Sequence, residues 1–266
     1  MRTIAVIGCG ALGTIFCQNA VKLLSKDYQI TSLLANHFEH AQTLAQSIGV
    51  TAVHSAEELL ATNPDIVVEF AGRDALKQYG EKILSQGCDL VAVSAGALAD
   101  ESFKERLIEA ARLAGSRLYI PNGAIGGLDL MQTFALMGNA QLSIGNTKAP
   151  KSLNGAPYLK GQNLPEDQKV TVFTGSVKDA IEGFPKNVNV AVVATLATNP
   201  DQVQVTIQSD PTTEVNTHHL QIKNDLMSAE ITISSKPDPR NPKSSTSTAW
   251  SVIALLKNLA SPIRFY

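Results

Sequence analysis

The stretch Arg2-Thr-Ile-Ala-Val-Ile-Gly8-Cys-Gly10-Ala-Leu-Gly13-Thr-Ile-Phe16 decides how the chain is read. Ile4 to Ile7 is a short apolar run that predicts a buried strand. It breaks at once into Gly8, Gly10 and Gly13, and a helical pattern follows from Ala11 to about Leu24. Gly8 permits a tight strand-to-helix turn, Gly10 lets backbone approach a pyrophosphate, and Gly13 lets the helix pack against the strand. The helix start adds free N–H groups and the positive end of a dipole. Gly8, Gly10, Ala11, Leu12 and Gly13 are therefore the first candidate residues for binding a dinucleotide.

Downstream, apolar runs and helical stripes alternate. Strands are expected at Tyr28–Leu34, Thr51–Val53, Asp65–Phe70, Cys88–Val93 and Arg117–Ile120, with helices at Phe38–Ile48, from Ser55, at Arg73–Ser85 and at Glu101–Ala114. This alternation predicts an α/β fold with an N-terminal Rossmann-type, doubly wound parallel sheet over residues 1–121. Ligands of such sheets bind at the carboxyl ends of the strands. Ala71, Ser94, Ala95 and Gly96, which follow the Asp65–Phe70 and Cys88–Val93 strands, are counted with the cofactor-binding residues. After the second strand the chain reads Leu34-Ala35-Asn36-His37, without the acid that usually reads a ribose. Asn36 can bond a hydroxyl without repelling a 2′-phosphate, and His37 or His40 can approach one, so NAD and NADP both remain open.

Past Pro121 the pattern changes. Ala124 opens a helix to about Met137, and period-2 segments follow at Gln141–Thr147, Lys169–Phe173, Gln202–Gln208, His218–Lys223 and Leu226–Ser234. Helical pieces interrupt them at Val177–Ile181 and Val188–Ala197. Residues 122–243 therefore read as a catalytic, substrate-binding α+β domain with a mixed or antiparallel sheet. Ser152–Gln168 reads as loop and Lys236–Pro242 as a proline-rich turn. Residues 244–266 read as a helix capped by Ser244 or Ser245, with Trp250, Ile253, Leu256 and, more loosely, Val252 and Leu259 on its apolar stripe, packing back on the first domain.

Composition narrows the function classes. The 266 residues are 44% hydrophobic and 17% charged, ordinary for a globular enzyme, and the net charge of -2 offers no basic stripe for nucleic acid. Cys9, Cys17 and Cys88 lack metal-ligand spacing and read as reduced thiols of a cytoplasmic protein; no metal site is expected. No secretory signal is visible, and the longest late apolar run, Val188–Ala197, is far short of the roughly 20 residues that span a bilayer.

Three polar clusters carry candidate chemistry. Pro121-Asn122-Gly123-Ala124-Ile-Gly-Gly127-Leu-Asp129 brings glycine-rich backbone to a helix start. In Phe184-Pro185-Lys186-Asn187-Val188-Asn189 the two amides suit a nicotinamide or a substrate carboxylate, and capping explains at most one of them. In Asn216-Thr217-His218-His219-Leu220-Gln221-Ile222-Lys223, strand alternation puts Asn216 and His218 with Leu220 and Ile222 on the apolar side, and His219 on the polar side. A partly buried imidazole suits proton transfer near neutral pH. Lys148, Lys151, Arg240 and Lys243 are cations able to receive carboxylates.

At these residues the chain resembles the L-aspartate dehydrogenase family. The resemblance runs nearly end to end, through the glycine fingerprint, Val93-Ser94-Ala95-Gly96-Ala97-Leu98-Ala99-Asp100, Gly123–Asp129, Phe184–Val190, Asn216-Thr217-His218 and Asn241-Pro242-Lys243-Ser244-Ser245. It implies oxidative deamination of L-aspartate with NAD or NADP to iminoaspartate, which water converts to oxaloacetate and ammonia, or the reverse reductive amination. In some bacteria and archaea, iminoaspartate instead feeds NAD biosynthesis. The family's catalytic histidine falls on His218. Its cofactor contacts fall on Ala124 and on an Asn of the Phe-Pro-Lys-Asn-Val-Asn string, Asn189 being favoured over Asn187. Asn216 resembles a substrate-pocket partner of His218, and Asn122, Lys148, Asn187 and Lys243 complete the candidate substrate-binding set. The partners implied are a small-molecule substrate and a second copy in a homodimer, with no nucleic acid and no membrane. Two departures stand out: Asn122 replaces the usual Ser, and the acid after the second strand is missing. The competing expectations are another dehydrogenase or reductase, of homoserine or cyclic-imine type, and a non-catalytic dinucleotide-binding redox sensor.

Overall fold

β1 (Arg2–Ile7), with its last four residues buried, lies in the middle of a six-stranded parallel sheet. The protein is seen in a computed structural model that describes residues 1–185, 189–198, 202–238 and 241–265, with the side chains of those residues apart from 202, 237–238 and 241–244. After β1 come α1 (Ala11–Leu23), β2 (Tyr28–Leu34), α2 (Phe38–Ile48), β3 (Thr51–Val53), α3 (Ala56–Ala61), β4 (Ile66–Glu69), α4 (Arg73–Ser85), β5 (Asp89–Ala92), α5 (Glu101–Ala114) and β6 (Leu118–Tyr119). The strand order β3-β2-β1-β4-β5-β6 is that of a doubly wound dinucleotide-binding sheet, in which the order reverses beside β1. Local chemistry sets the helix starts. Ser55 Oγ accepts the Glu58 amide at 3.1 Å and Asp100 Oδ1 the Phe103 amide at 3.2 Å, so each caps the helix that follows.

The chain then forms α6 (Leu128–Met137), β7 (Gln141–Lys148), α7 (Pro150–Leu153), β8 (Val170–Gly175), α8 (Val177–Gly183), α9 (Asn189–Thr198), β9 (Gln202–Ser209), β10 (Asn216–Lys223), β11 (Ser228–Ser235), β12 (Pro237–Asp238), β13 (Asn241–Ser245) and α10 (Ser247–Ala260). The second sheet has the order β11-β10-β7-β9-β8; β7 and β9 are parallel and the other neighbours antiparallel, so it is mixed. α6 and α9 pack on one another, α6 also against β10 and α9 against β7. Two compact units result: Met1–Pro121 with Thr248–Tyr266, and Asn122–Ser247. Among the described residues no helix is long and apolar enough to cross a membrane.

Four expectations need correction. The helix expected from Ala124 begins at Leu128, because Gly126-Gly127 loses the most backbone freedom on becoming helical. Ser152–Gln168 is not all loop: α7 and a 3-10 turn at Pro157–Leu159 occupy part of it, each with Pro at a first-turn position, where its missing N–H costs nothing. The proline-rich turn overlaps the β12–β13 ladder, Pro237 opposite Ser245 and Asp238 opposite Asn241. On α10 the buried stripe is Ala249, Val252, Ile253 and Leu256, at i, i+3, i+4 and i+7, and Trp250 lies off it, 45% exposed. That stripe joins the core formed by Ile4, Phe16, Tyr28 and Leu33, and Tyr28 donates its hydroxyl to the Leu256 carbonyl at 2.9 Å.

Candidate active site

The two units each carry part of the candidate chemistry. In the first, the glycine turn is built by contact. A Cβ on Gly8, which has φ +104°, would meet Ala71 N and Phe70 C at 2.6 Å, and one on Gly13 would fall on the Gly8 carbonyl oxygen. Nothing lies within 4 Å of the place a Cβ would take on Gly10. The first intrahelical bond of α1 runs from Thr14 N to Gly10 O at 2.9 Å, so the amides of Ala11, Leu12 and Gly13 precede the α1 ladder. Open space in front of a helix N-terminus, at the carboxyl end of β1, fits the pyrophosphate of a dinucleotide.

The neighbouring strand ends supply the rest of that rim. Asn36 and His37 are exposed after β2, Ala71 is exposed after β4, and Ser94, Ala95 and Gly96 are buried after β5. Glu69, the last residue of β4, is 1% exposed and ties two of these segments together. Its carboxylate accepts the Gly72 amide at 2.7 Å, the Ser94 amide at 3.0 Å and the Ser94 hydroxyl at 2.9 Å. Burial pushes its carboxyl above the usual carboxylate range, against the pull of those donors. An acid closing the apolar run Ile66-Val-Val-Glu69 was a visible signal that sequence reasoning passed over. Burial also raises the Cys9 thiol to about 11, leaving it protonated near neutral pH.

In the second unit, the buried face of the mixed sheet changes character along the strands. Leu142 and Ile144 of β7, Leu220 and Ile222 of β10, and Val205 and Ile207 of β9 make one end apolar. The same inward positions continue as Asn146 and Lys148, as His218 and Asn216, and as Ser209. Alternation thus holds His218 at 3% exposure while His219 on the next position is exposed. His218 stands directly across from Asn146 in the β10–β7 ladder, and its Nδ1 lies 2.6 Å from Asn146 Oδ1. Lys148, 4% exposed, pairs in register with Ser209.

Charge is scarce and strongly shifted there. Burial lowers the Lys148 ammonium to about 8 from its ordinary 10.5. Burial, with the positive charge of Lys148 second, lowers His218 to about 3. Around them, Asn146 Nδ2, Ser209 Oγ and Ser235 Oγ are buried without a hydrogen-bond partner. Unsatisfied donors beside a buried cation suit an anionic ligand with several oxygen acceptors. Among the described residues no group of three or more His, Cys, Asp or Glu is placed to hold a metal.

Of the residues singled out from sequence, Lys148, Asn216 and His218 come together on this face. Asn122 is exposed and Ala124 half-buried in the segment before α6, and Asn189 is exposed at the start of α9. Asn187 and Arg240 lie outside the described residues, as does the side chain of Lys243; Lys151 is exposed on α7. Sequence reasoning missed Asn146, Ser209 and Ser235. Asn146 was detectable as a polar residue at an inward position of Leu142-Ser-Ile-Gly-Asn146-Thr-Lys148, but its partner was not.

Two family models match the chain in succession. The family described as "Aspartate dehydrogenase, C-terminal" matches residues 129–259, and "Homoserine dehydrogenase, NAD binding domain" matches residues 8–121. L-aspartate dehydrogenase of Methanocaldococcus jannaschii is 33% identical over 99% of both chains. L-aspartate dehydrogenase 2 of Bordetella pertussis is 33% identical over 96% of this chain and 95% of its own length. The crystal structure of aspartate dehydrogenase from Thermotoga maritima superposes over the whole of both chains with a TM-score of 0.75 at 28% identity. Myo-inositol 2-dehydrogenase of Lactobacillus plantarum, at 10% identity and a TM-score of 0.60, shares the fold.

Proposed function

The chain belongs to the L-aspartate dehydrogenase family, and from that premise we propose that it oxidatively deaminates L-aspartate with a nicotinamide dinucleotide, or runs the reverse amination. The observation that carries the reading is the buried Lys148–Asn216–His218 face, with its unsatisfied donors and the buried cation Lys148, in a chain alike from end to end to aspartate dehydrogenases. A substrate with two carboxylates offers acceptors to Asn146 Nδ2, Ser209 Oγ and Ser235 Oγ. The homoserine-type alternative, a substrate with one carboxylate, suits it less well.

The first unit binds the dinucleotide through the glycine turn and the rim from Asn36 to Gly96. When bound, the dinucleotide supplies a hydride acceptor. The residues of the second unit do the rest. Lys148 and Asn216, with Asn122, Asn187 and Lys243, receive the carboxylates. His218, neutral at working pH, takes a proton from the substrate amine as the α-carbon gives up its hydride, so that iminoaspartate forms. The protonated imidazole then returns its proton as water adds to the imine carbon, and oxaloacetate and ammonia leave. Burial is the larger cause that holds His218 down; substrate carboxylates beside Lys148 offset the second, its positive charge, so the histidine becomes a stronger base once substrate is in place.

Both NAD and NADP fit the Asn36-His37 end of β2, which offers neither an acid to repel a 2′-phosphate nor an arginine to hold one. The family likeness further supports a homodimer, a cytoplasmic setting and supply of iminoaspartate to pyridine nucleotide synthesis.

The test is a rate assay of purified protein with L-aspartate and NAD or NADP, and with oxaloacetate, ammonia and each reduced dinucleotide. Turnover is expected in both directions. Replacing His218 by Ala should lower kcat by about 10²- to 10⁴-fold while dinucleotide affinity stays near wild type. Dinucleotide binding without turnover on L-aspartate, oxaloacetate, homoserine or cyclic imines would overturn the reading in favour of a sensor.

A further inference from the structure

We propose that Asn146 is a positioning residue that fixes the tautomer of His218, so that Nδ1 keeps its proton and Nε2 carries the lone pair that accepts one from substrate. The inference deepens the proposed function, since it rests on His218 as the proton-transfer group.

Three observations meet at this pair. Asn146 Oδ1 lies 2.6 Å from His218 Nδ1, and an amide oxygen only accepts, so the proton of the neutral ring sits on Nδ1. Both side chains are at most 3% exposed, so bulk water does not compete for either atom. The two residues are directly cross-strand in β10 and β7, 72 positions apart in the chain, and the inner-face pairs of that ladder next to them are Leu220 with Ile144 and Ile222 with Leu142. A slip of one residue would turn His218 to the exposed face and break the pair, so the hydrophobic pairs that set the register also set the tautomer.

The other end of the same amide adds a fourth observation. Asn146 Nδ2 is buried and has no partner. It is a donor only, on the same buried face as the cation Lys148. One amide thus orients the base with its oxygen and presents its nitrogen to an acceptor of the substrate. An apolar side chain of similar volume would fill the space and do neither.

The test combines a spectroscopic readout with kinetics. In wild-type protein labelled with ¹⁵N-histidine, long-range ¹H–¹⁵N spectra identify the protonated nitrogen of each of the five histidines, with H218Q assigning the signal. His218 should be protonated at Nδ1. In N146L that preference should be lost and kcat should fall by about 10²-fold, with the affinity for dinucleotide unchanged. In N146D the new carboxylate accepts the same bond and stabilises the imidazolium. This variant should retain more turnover than N146L, and the acid limb of its kcat/KM profile should move to higher pH. An Nε2-protonated His218 in the wild type overturns the inference without any variant. So does N146L with wild-type kcat, or N146L and N146D with the same loss and the same pH profile, which is what a packing role alone would give. Nδ1 protonation in a wild type that turns over no L-aspartate, with the preference lost in N146L, supports the Asn146 assignment while removing the aspartate reading.

Discussion

Replacing Lys148 by Met should make the protein more stable and a worse enzyme. The ammonium of Lys148 is 4% exposed, and burial lowers it from 10.5 to about 8. At about 1.4 kcal/mol per tenfold, keeping that charge in the folded chain at pH 7 costs about 3 kcal/mol relative to water. Met fills a similar volume without the charge, so stability should rise by about 1–3 kcal/mol, a few degrees in Tm. The sign with pH is fixed. The folded-state value lies below the unfolded one, so wild-type stability climbs as pH rises from about 8 to 10.5, and the advantage of K148M should shrink over that window. In activity, loss of a charged partner for a carboxylate should raise the KM for L-aspartate by about 10- to 100-fold. His218, freed of one of its two depressing causes, should titrate above about 3, yet burial, the larger cause, should keep it below the usual histidine range. Urea denaturation at pH 7 and pH 10, beside steady-state kinetics, checks all of this. A K148M protein that is less stable at pH 7 and keeps its KM would refute the account of Lys148 as a costly cation retained for substrate.

Two glycines should separate binding from folding. G10A, where a Cβ meets open space, should leave stability within about 0.5 kcal/mol and weaken dinucleotide binding, while G13A, whose Cβ falls on the Gly8 carbonyl, should cost about 1–3 kcal/mol as well; fluorescence titration and denaturant melts distinguish them. N36D should shift the kcat/KM ratio toward NAD by about tenfold, by repelling a 2′-phosphate. Glu69→Gln replaces one acceptor oxygen by an NH₂ that faces the amide of either Gly72 or Ser94, so it should cost about 1–3 kcal/mol and raise the dinucleotide Kd, read by the same melts and titration.

The nucleotide-binding half was legible because its signals are local. The glycine turn, the helix start at Ser55 and the alternation of strands with helices each depend on residues a few positions apart. Period-2 alternation likewise separated His218 from His219 within one strand. Where a local signal competed with another, reading failed: Gly126-Gly127 delays α6, and the prolines of 237–242 did not prevent β12 and β13 from pairing. What stands opposite what was out of reach. That His218 meets Asn146, that Lys148 pairs with Ser209, and that Glu69 binds the Ser94 segment 25 residues on are consequences of strand register and sheet order. Register is decided by the sum of many distant apolar pairs, none of which is visible in a single window of sequence. The sequence alone therefore determined which residue types were available and which face of its strand each would take, while the tertiary structure decided which of them share a buried site and how that site is charged.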